Sequence, residues 1–393
     1  MAEIGRPTVA ARPMVPRDPG EPGRAATPLE LLFDLVSVIA IAAAAAGLHH
    51  AIAGNHPIDG VLRFGAAFFA IWWAWMNYTW FASAYDNNDT LFRLLTMTIM
   101  GGALVLAAGV EPLFATLDIR LTVAGYVIMR VPMAVLWLRA ARSDPARRRT
   151  NLRYCVGILV AQTYWIIVSV IASGSASYLA PMLIAGILLE LAVPVFAERS
   201  SETPWHRHHI VERYGLLNII VLGEILLAAV IAIRTATEGT FDVRQIHIAI
   251  SALAITFSMW WLYFSDEDHL PTQDLGRALQ WGYGHVFIFA SGAAVGAGFA
   301  VLVDILAGKA HVDVRTGDLA VAIPLAIYVL GLWWVRDRFL LPRRTVWILP
   351  VLAAALIIMP LIVPALELIA IGIAAIALIR TLLCRRGQGA LVK

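Results

Sequence analysis

Long apolar runs recur along almost the whole chain from Leu29 onward. Each run is long enough to cross the ~30 Å hydrocarbon core of a bilayer as a helix. The chain is 60% hydrophobic and only 15% charged, whereas soluble domains are about 25% charged. One soluble core cannot cover that much apolar surface. The sequence therefore predicts a polytopic membrane protein.

The predicted fold is an all-α transmembrane bundle of about twelve spans. Lipid admits only helices and closed barrels, and the runs lack the alternation of barrel strands. Pro360 and Pro364 mark either a turn or a kink between the last two spans. The predicted spans are 29–53, 61–83, 91–111, 119–141, 152–173, 177–197, 209–234, 245–265, 278–307, 319–341, 345–363 and 365–383.

Arginine placement predicts the orientation. The loop from Arg139 to Arg153 and the loop from Arg336 to Arg344 are the most basic, and such short basic loops stay in the cytoplasm. We therefore expect a bacterial plasma-membrane protein with both termini cytoplasmic. These loops also account for the net charge of +3, so no nucleic-acid partner is expected. The lipid bilayer is the expected partner, and a homodimer is left open.

A weak internal repeat suggests a duplication. The Trp72–Trp73 pair precedes one acidic turn and the Trp260–Trp261 pair another, at nearly the offset that separates Glu30 from Glu212. Two parallel halves of six spans would follow, with chance similarity as the alternative. The predicted organisation is a disordered cytoplasmic tail at 1–28, a first half at 29–197, a cytoplasmic linker at 198–208, a second half at 209–383 and a cytoplasmic tail at 384–393.

Three segments carry a family resemblance. They are Pro28–Val36, Glu212–Glu224 and Trp260–Phe264, in predicted spans one, seven and eight. Together they resemble the bacterial low temperature requirement A family, over nearly the whole chain. The resemblance implies a multi-pass bacterial membrane protein named for a cold-growth phenotype, and no particular reaction.

Two charges are expected near the bilayer centre, where each costs about 2.5–3.5 kcal/mol. Glu224 lies about 18 Å deeper than Glu212 at 1.5 Å per residue. Arg130 lies at similar depth in span four, so we expect Arg130 to pair with Glu224. The pair is either a proton or cation site or a structural ion pair.

Further polar residues extend this predicted ion, proton or substrate site. Glu30 and Asp34 share one helix face, where their repulsion favours proton exchange; alternatively, Glu30 favours the helix N-terminus and Asp34 pairs with an arginine. Glu190 lies within span six, and Glu212 and Arg213 belong to the family-like segment.

Asn77 in span two is expected to bond between helices, and His285 in span nine is either structural or part of the site. Aromatic side chains are predicted to line an apolar cavity, to bind a cation through their rings, or simply to pack. They are Trp72, Trp73, Trp260, Trp261 and Tyr263.

Two acidic clusters are expected at the inner surface. Paired aspartates can hold Mg²⁺ against a diphosphate, and solvated turns explain them equally well. The candidate ligands are Asp86, Asp89, Asp266 and Asp268. Apart from this Mg²⁺, no cofactor is predicted. His206, His208 and His209 match no standard zinc spacing.

The sequence favours a secondary transporter that couples a small solute to protons or ions through intramembrane carboxylates. The first alternative is an intramembrane enzyme acting on a prenyl diphosphate or similar lipid, and the second is an ion channel or a scaffold without turnover. No P-loop, Gly-x-Ser-x-Gly or His-Glu-x-x-His motif occurs, so nothing supports ATP hydrolysis or the common hydrolase mechanisms.

Overall fold

The fold is all-helical. The computed structural model describes residues 11–172, 174–237, 243–265, 270 and 274–391, and these contain no strand. The helices are α1 (Pro28–Ala53), α2 (Pro57–Tyr85), α3 (Thr90–Ala108), α4 (Val110–Thr116), α5 (Arg120–Ser143), α6 (Arg148–Ile171), α7 (Ala176–Glu198), α8 (Arg207–Thr237), α9 (Val243–Phe264), α10 (Leu275–Leu306), α11 (Val314–Leu332), α12 (Arg338–Leu340), α13 (Ile348–Ile362) and α14 (Leu366–Leu391).

Ten helical segments of the described chain are long and apolar enough to cross a membrane. Two predicted spans fall outside this set. The predicted span at 61–83 lies in α2, which is rich in aromatic residues, and the one at 345–363 corresponds to the short helix α13. A multi-pass membrane protein is therefore supported, while the count of twelve and the duplication stay predictions.

The described residues form two compact units. Unit 1 comprises residues up to Ala43 and Ala66–Arg213, and unit 2 comprises Ala44–Gly65 and the residues from Tyr214 onward. The beginning of α1, most of α2, α3 to α7 and the first turns of α8 belong to unit 1. The end of α1, the first turns of α2, the rest of α8, and α9 to α14 belong to unit 2.

A reciprocal pair of hydrogen bonds begins α1. The backbone N–H of Thr27 donates to Oε2 of Glu30 at 2.7 Å, and the N–H of Glu30 donates to Oγ1 of Thr27 at 3.3 Å. This capping box satisfies two N–H groups that a helix start leaves open. Pro28 occupies the first helical position, where its missing N–H costs nothing. The same carboxylate that starts the helix thus becomes part of a buried cluster.

The described part of the N-terminal tail is packed rather than disordered. The N–H of Arg17 donates to the carbonyl of Ala84 at 2.9 Å, and the side chain of Arg24 donates to the carbonyl of Ala82 at 3.1 Å. Met14 is fully buried. These contacts attach residues 11–27 to the end of α2, a correction to the disordered tail expected from its Arg and Pro content.

The predicted spans three and ten are not single continuous α-helices. The third breaks at Gly109, where an added Cβ would lie 2.4 Å from the backbone nitrogen of Thr122. In the tenth, α11 passes into a π-helical turn at Trp333–Asp337 before α12. The last two spans are separated by a non-helical break at residues 363–365, which contains Pro364, whereas Pro360 lies inside α13.

Candidate functional site: a buried ion-pair cluster

Asp34 forms a two-pronged ion pair with Arg213 inside unit 1. Nη2 of Arg213 donates to Oδ1 at 2.6 Å, and Nε donates to Oδ2 at 3.0 Å. The indole N–H of Trp75 also donates to Oδ1, at 2.6 Å. Asp34 and Arg213 are fully buried. Bidentate geometry makes this the strong form of the carboxylate–guanidinium pair.

Glu30 lies one helical turn before Asp34 and meets the same guanidinium. Its Oε1 lies 3.1 Å from Nη1 of Arg213 and 3.0 Å from Nε2 of His209. Arg24 is more distant, with Nη2 at 3.7 Å. Glu30 and His209 are fully buried. Two carboxylates therefore share one guanidinium, with an imidazole in direct reach.

Asp86 adds a third carboxylate at the edge of this group. Its Oδ2 lies 3.8 Å from Nη2 of Arg24, and Oδ1 accepts the N–H of Asn88 at 2.8 Å. Burial, followed by the nearby charge of Glu30, raises the pKa of Asp86 to about 6 despite Arg24. We call the whole set the α1–α8 cluster; it consists of Arg24, Glu30, Asp34, Asp86, His209 and Arg213.

Asp89 has a structural role in the same loop. It begins α3 by accepting the N–H of Phe92 at 2.7 Å, and it accepts Nη2 of Arg139 at 2.6 Å. Burial opposes ionisation, but these bonds and the N–H of Arg12 hold the pKa of Asp89 below its usual range. Within the described residues, no group of three or more His, Cys, Asp or Glu is placed to hold a metal ion. Asp266 and Asp268 lie outside the described residues.

Arg130 pairs with Glu190, in place of the expected Glu224. Nη2 of Arg130 donates to Oε2 of Glu190 at 3.0 Å, and both side chains are fully buried. The pairing was mispredicted because equal depth does not determine which helix faces turn toward each other. Tyr126, one turn before Arg130, donates its hydroxyl to Oε1 of Glu190 at 2.8 Å.

Glu190 is surrounded by hydrogen-bond donors. Besides Tyr126 and Arg130, the indole N–H of Trp73 donates at 2.9 Å, and the side chains of Gln162 and Trp165 donate at 3.3 Å each. Five donors from three helices thus converge on one carboxylate of α7, and this set is named the Glu190 cluster. These bonds satisfy both oxygens of a carboxylate that is fully buried.

A small apolar cavity of about 60 Å³ lies beside the Glu190 cluster in unit 1. Tyr126 and Trp165 line it, together with Phe69 and Leu113. Trp72 and Trp73, predicted to line an aromatic cavity, are not among its lining residues, although both are buried. Trp73 is a hydrogen-bond donor to Glu190 instead.

Two carboxylates of unit 2 lack a hydrogen bond or ion pair within the described residues. Glu224 is half-buried in α8, and its backbone lies close to Gly296 of α10, where an added Cβ would be 3.4 Å away. Asp318 in α11 is 1% exposed, and neither carboxylate oxygen has a hydrogen-bond partner. Glu367 is the charged group that acts on it electrostatically.

His285 is a fully satisfied side chain. Its Nδ1 lies 2.8 Å from the carbonyl of Trp281 and its Nε2 lies 3.1 Å from the hydroxyl of Tyr263. Trp260 and Trp261 are 47% and 52% exposed on α9. Neither therefore lines a buried aromatic cavity; Trp261 instead donates its indole N–H to Thr381 of α14 at 3.1 Å.

Two other predicted positions have local roles. Asn77 donates to the carbonyl of Trp73 at 2.7 Å, one turn earlier in its own helix, so the expected interhelical bond is replaced by an intrahelical one. Glu212 accepts the N–H of Ala26 at 3.1 Å and anchors the segment that precedes α1.

Sequence reasoning missed several members of these clusters. The sequence does not predict Trp75, Tyr126, Gln162 or Trp165 as members of the site. The available signals were Gln162 as an amide inside a span, and Tyr126 at helical spacing from Arg130. His209 was considered only as part of a loop cluster, whereas the structure places it in α8, against Glu30.

Comparison with known proteins agrees with the motif resemblance. A family profile described as bacterial low temperature requirement A protein matches residues 25–382. A protein of Rhizobium meliloti (strain 1021), named as uncharacterized, is 31% identical over 251 residues. That match covers 60% of this chain and 58% of the relative, so it spans less than two thirds of the relative's length. No solved structure matches. Because the family profile covers nearly the whole sequence, the chain belongs to the bacterial low temperature requirement A family.

Proposed function

We propose that this chain is a proton-coupled secondary transporter of a small solute and that the α1–α8 cluster binds the coupling proton. One observation carries the proposal, namely the charge imbalance of the cluster. Two guanidinium groups, Arg24 and Arg213, face the three carboxylates of Glu30, Asp34 and Asp86. Arg17 also acts on Asp86, but it adds no net charge because it is paired with Glu21 at 2.6 Å. With His209 neutral, one net negative charge remains, and a single bound proton cancels it.

The residue types favour a proton over other cations. Nε2 of His209 lies 3.0 Å from Oε1 of Glu30, and neither atom is committed to another hydrogen bond, so a small rotation of the ring would align the two for proton exchange. Histidine and carboxylate side chains are the groups that form proton relays inside membrane proteins. A metal cation would have to compete with Arg213, which already contacts both carboxylates.

Burial of the cluster fits an alternating mechanism. Glu30, Asp34, His209 and Arg213 are all fully buried in the described conformation. Proton exchange with either side of the membrane therefore requires a second conformation that hydrates the cluster, as alternating access provides. Glu224, half-buried in α8 and without a hydrogen bond or ion pair within the described residues, is proposed as the second proton carrier.

The test measures proton binding directly, since the solute is unidentified. Purified full-length chain is reconstituted into proteoliposomes on a solid-supported membrane, and the transient charge displacement after a pH jump is recorded. We expect a saturable transient from the wild type. H209Q and E30Q should lose most of it. H208Q is the matched control, because His208 is exposed while His209 is buried, and it should keep the wild-type amplitude.

E224Q is a further variant, chosen because Glu224 makes no ion pair within the described residues. We expect E224Q to shift the pH at which the transient is half-maximal. Thermal unfolding of each variant in the same detergent separates loss of signal from loss of fold. Equal transients from folded H209Q and H208Q would contradict the proposal. A sustained, non-saturating current would identify a channel instead.

A further inference from the structure

An open groove runs between α6 and α7 at one end of unit 1. Its volume is about 1070 Å³, at the top of the ~300–1,000 Å³ range of small-molecule pockets. The two helices are antiparallel neighbours, so the start of α6 and the end of α7 lie at the same end. Four arginines line the groove there: Arg148, Arg149, Arg153 and Arg199.

Three of these guanidinium groups are available to bind a ligand. Arg148, Arg149 and Arg199 are exposed, and none makes a side-chain hydrogen bond or ion pair within the part of the chain that the structure describes. Arg153 is held in place, because its Nη1 donates to the carbonyl of Phe196 at 3.1 Å and its guanidinium lies 4.4 Å from that ring.

The neighbouring carboxylates do not neutralise this charge. Asp144 accepts bonds from Arg147 and from the hydroxyl of Tyr85. Glu198 accepts the hydroxyl of Tyr154 at 2.7 Å and the hydroxyl of Thr203 at 3.0 Å. These hydroxyls leave the charge of Glu198 in place, and Glu202 is a second carboxylate nearby. Two negative charges at most therefore oppose the four arginines of the groove, which keeps a net positive end that can receive an anion.

The other part of the groove is apolar and faces outward. Val156 is 57% exposed and Val160 is 52% exposed along α6, and Phe196 is 52% exposed on α7. The helices approach closely at its floor, where a Cβ on Gly157 would lie 2.8 Å from the Val193 side chain. Because α6 and α7 are candidate spans, this outward apolar surface lies where acyl chains are.

We propose that the groove binds an anionic glycerophospholipid. Its phosphate would lie among Arg148, Arg149 and Arg199, and an acyl chain would extend along Val156 and Val160. The depth agrees, since Arg148 begins α6 and Arg199 directly follows α7, which is headgroup level for a membrane-spanning helix. Basic pockets between membrane helices recognise anionic headgroups in this way. This site is independent of the proposed transport function.

The test compares lipids and variants on the purified full chain in detergent. Native mass spectrometry measures how tightly phosphatidylglycerol and phosphatidylcholine of equal acyl composition are retained. We expect a clear preference for phosphatidylglycerol. The triple variant R148Q/R149Q/R199Q should weaken its binding at least about tenfold, since each basic residue near an anionic headgroup contributes about fivefold.

The matched control is R142Q/R343Q/R344Q, which removes the same number of exposed arginines outside the groove. It should change the affinity by less than about threefold, under the fivefold expected of one groove arginine. Equal losses in the two triples would overturn the proposal, because they would indicate unspecific attraction. Displacement of the lipid by an equal concentration of inorganic phosphate would also overturn it, since it would mean that the groove takes only the anion.

Discussion

Two buried carboxylates of unit 1 are neutralised in different ways. Asp34 receives most of its bonds from one guanidinium, Arg213. Glu190 receives only one bond from Arg130 and four from uncharged donors. Loss of Asp34 removes two hydrogen bonds from Arg213 at once, whereas the bonds to Glu190 are spread over a wider set of donors.

Asp34→Asn should therefore strongly destabilise the protein. It removes both hydrogen bonds that Arg213 donates to Asp34 and leaves Glu30, 3.1 Å away, as the carboxylate beside that guanidinium, so the expected loss is about 1.5–3 kcal/mol of unfolding free energy. Unfolding in a detergent titration measures the change, with the exposed Asp59→Asn as control. The double variant D34N/R213Q should lose less than the two single variants summed. Equal stability of D34N and D59N would show that the pair contributes nothing.

Asp86→Asn should remove a pH dependence of stability. Its pKa is about 6 in the folded protein and about 3.9 when unfolded, so the folded state binds the proton more tightly. Stability therefore falls as pH rises from about 4 to about 6, by roughly 2–3 kcal/mol. The charged groups facing Asp86 are Glu30, Arg24 and Arg17.

Thermal unfolding of wild type and D86N at a series of pH values checks this sign. The stability of D86N relative to the wild type should increase from pH 4 to pH 6 and stay constant above pH 6. The pKa values of Asp86 in the unfolded and folded protein set this window. Parallel curves would contradict the assigned cause.

Single residues also show what the sequence could and could not predict. The positions of charges inside spans were readable, because an ionisable residue stands out in an apolar run. Their partners were not, as the pairing of Arg130 with Glu190 shows. Partner choice depends on helix rotation and on which helices are neighbours, and neither is encoded in depth along one span.

At the scale of helices, glycine allows the closest contacts. A Cβ on Gly125 of α5 would lie 2.3 Å from the backbone nitrogen of Leu106 of α3. A Cβ on Gly102 would lie 2.7 Å from the backbone nitrogen of Met129. Small residues at such crossings let backbones of membrane helices approach.

Gly125→Ala should force α3 and α5 apart. The clash is with backbone, which cannot rotate away, so the expected loss is at least ~1–3 kcal/mol of unfolding free energy. Gly101→Ala is the matched control, because a Cβ there meets nothing within 4 Å, and helix propensity makes it neutral or slightly stabilising. Thermal unfolding of both variants tests this prediction. Equal stability of G125A and G101A would contradict it, because it would mean that α3 and α5 can separate without loss of stability.

Helix positions were largely predictable, since apolar length and polar interruptions determine them. The predicted 152–173 corresponds to α6 at Arg148–Ile171, for example. The π-helical turn at Trp333–Asp337 was not predictable. There Arg336 donates to the carbonyls of Tyr263 and Leu262, and tertiary bonds of this kind leave no local sequence pattern.

At the scale of the whole molecule, the arginine bias predicts which loops face the cytoplasm. The loop after α5 should be inside and the loop after α10 outside. Single cysteines at Ala146 and Lys309, both exposed, test this in a background where Cys155 and Cys384 are replaced. A membrane-impermeant maleimide should label K309C on intact cells and A146C only after permeabilisation. The reverse pattern would invert the topology.

The Glu190 cluster restricts how a protein of this kind can move. Its donors come from α2, α5 and α6, and its carboxylate comes from α7. Sliding any one of these four helices past the others would break hydrogen bonds to Glu190 and leave buried polar atoms without partners. We therefore expect α2, α5, α6 and α7 to move together as one rigid block if the chain works as the proposed transporter. Any hinge or gate should then lie in the remaining helices.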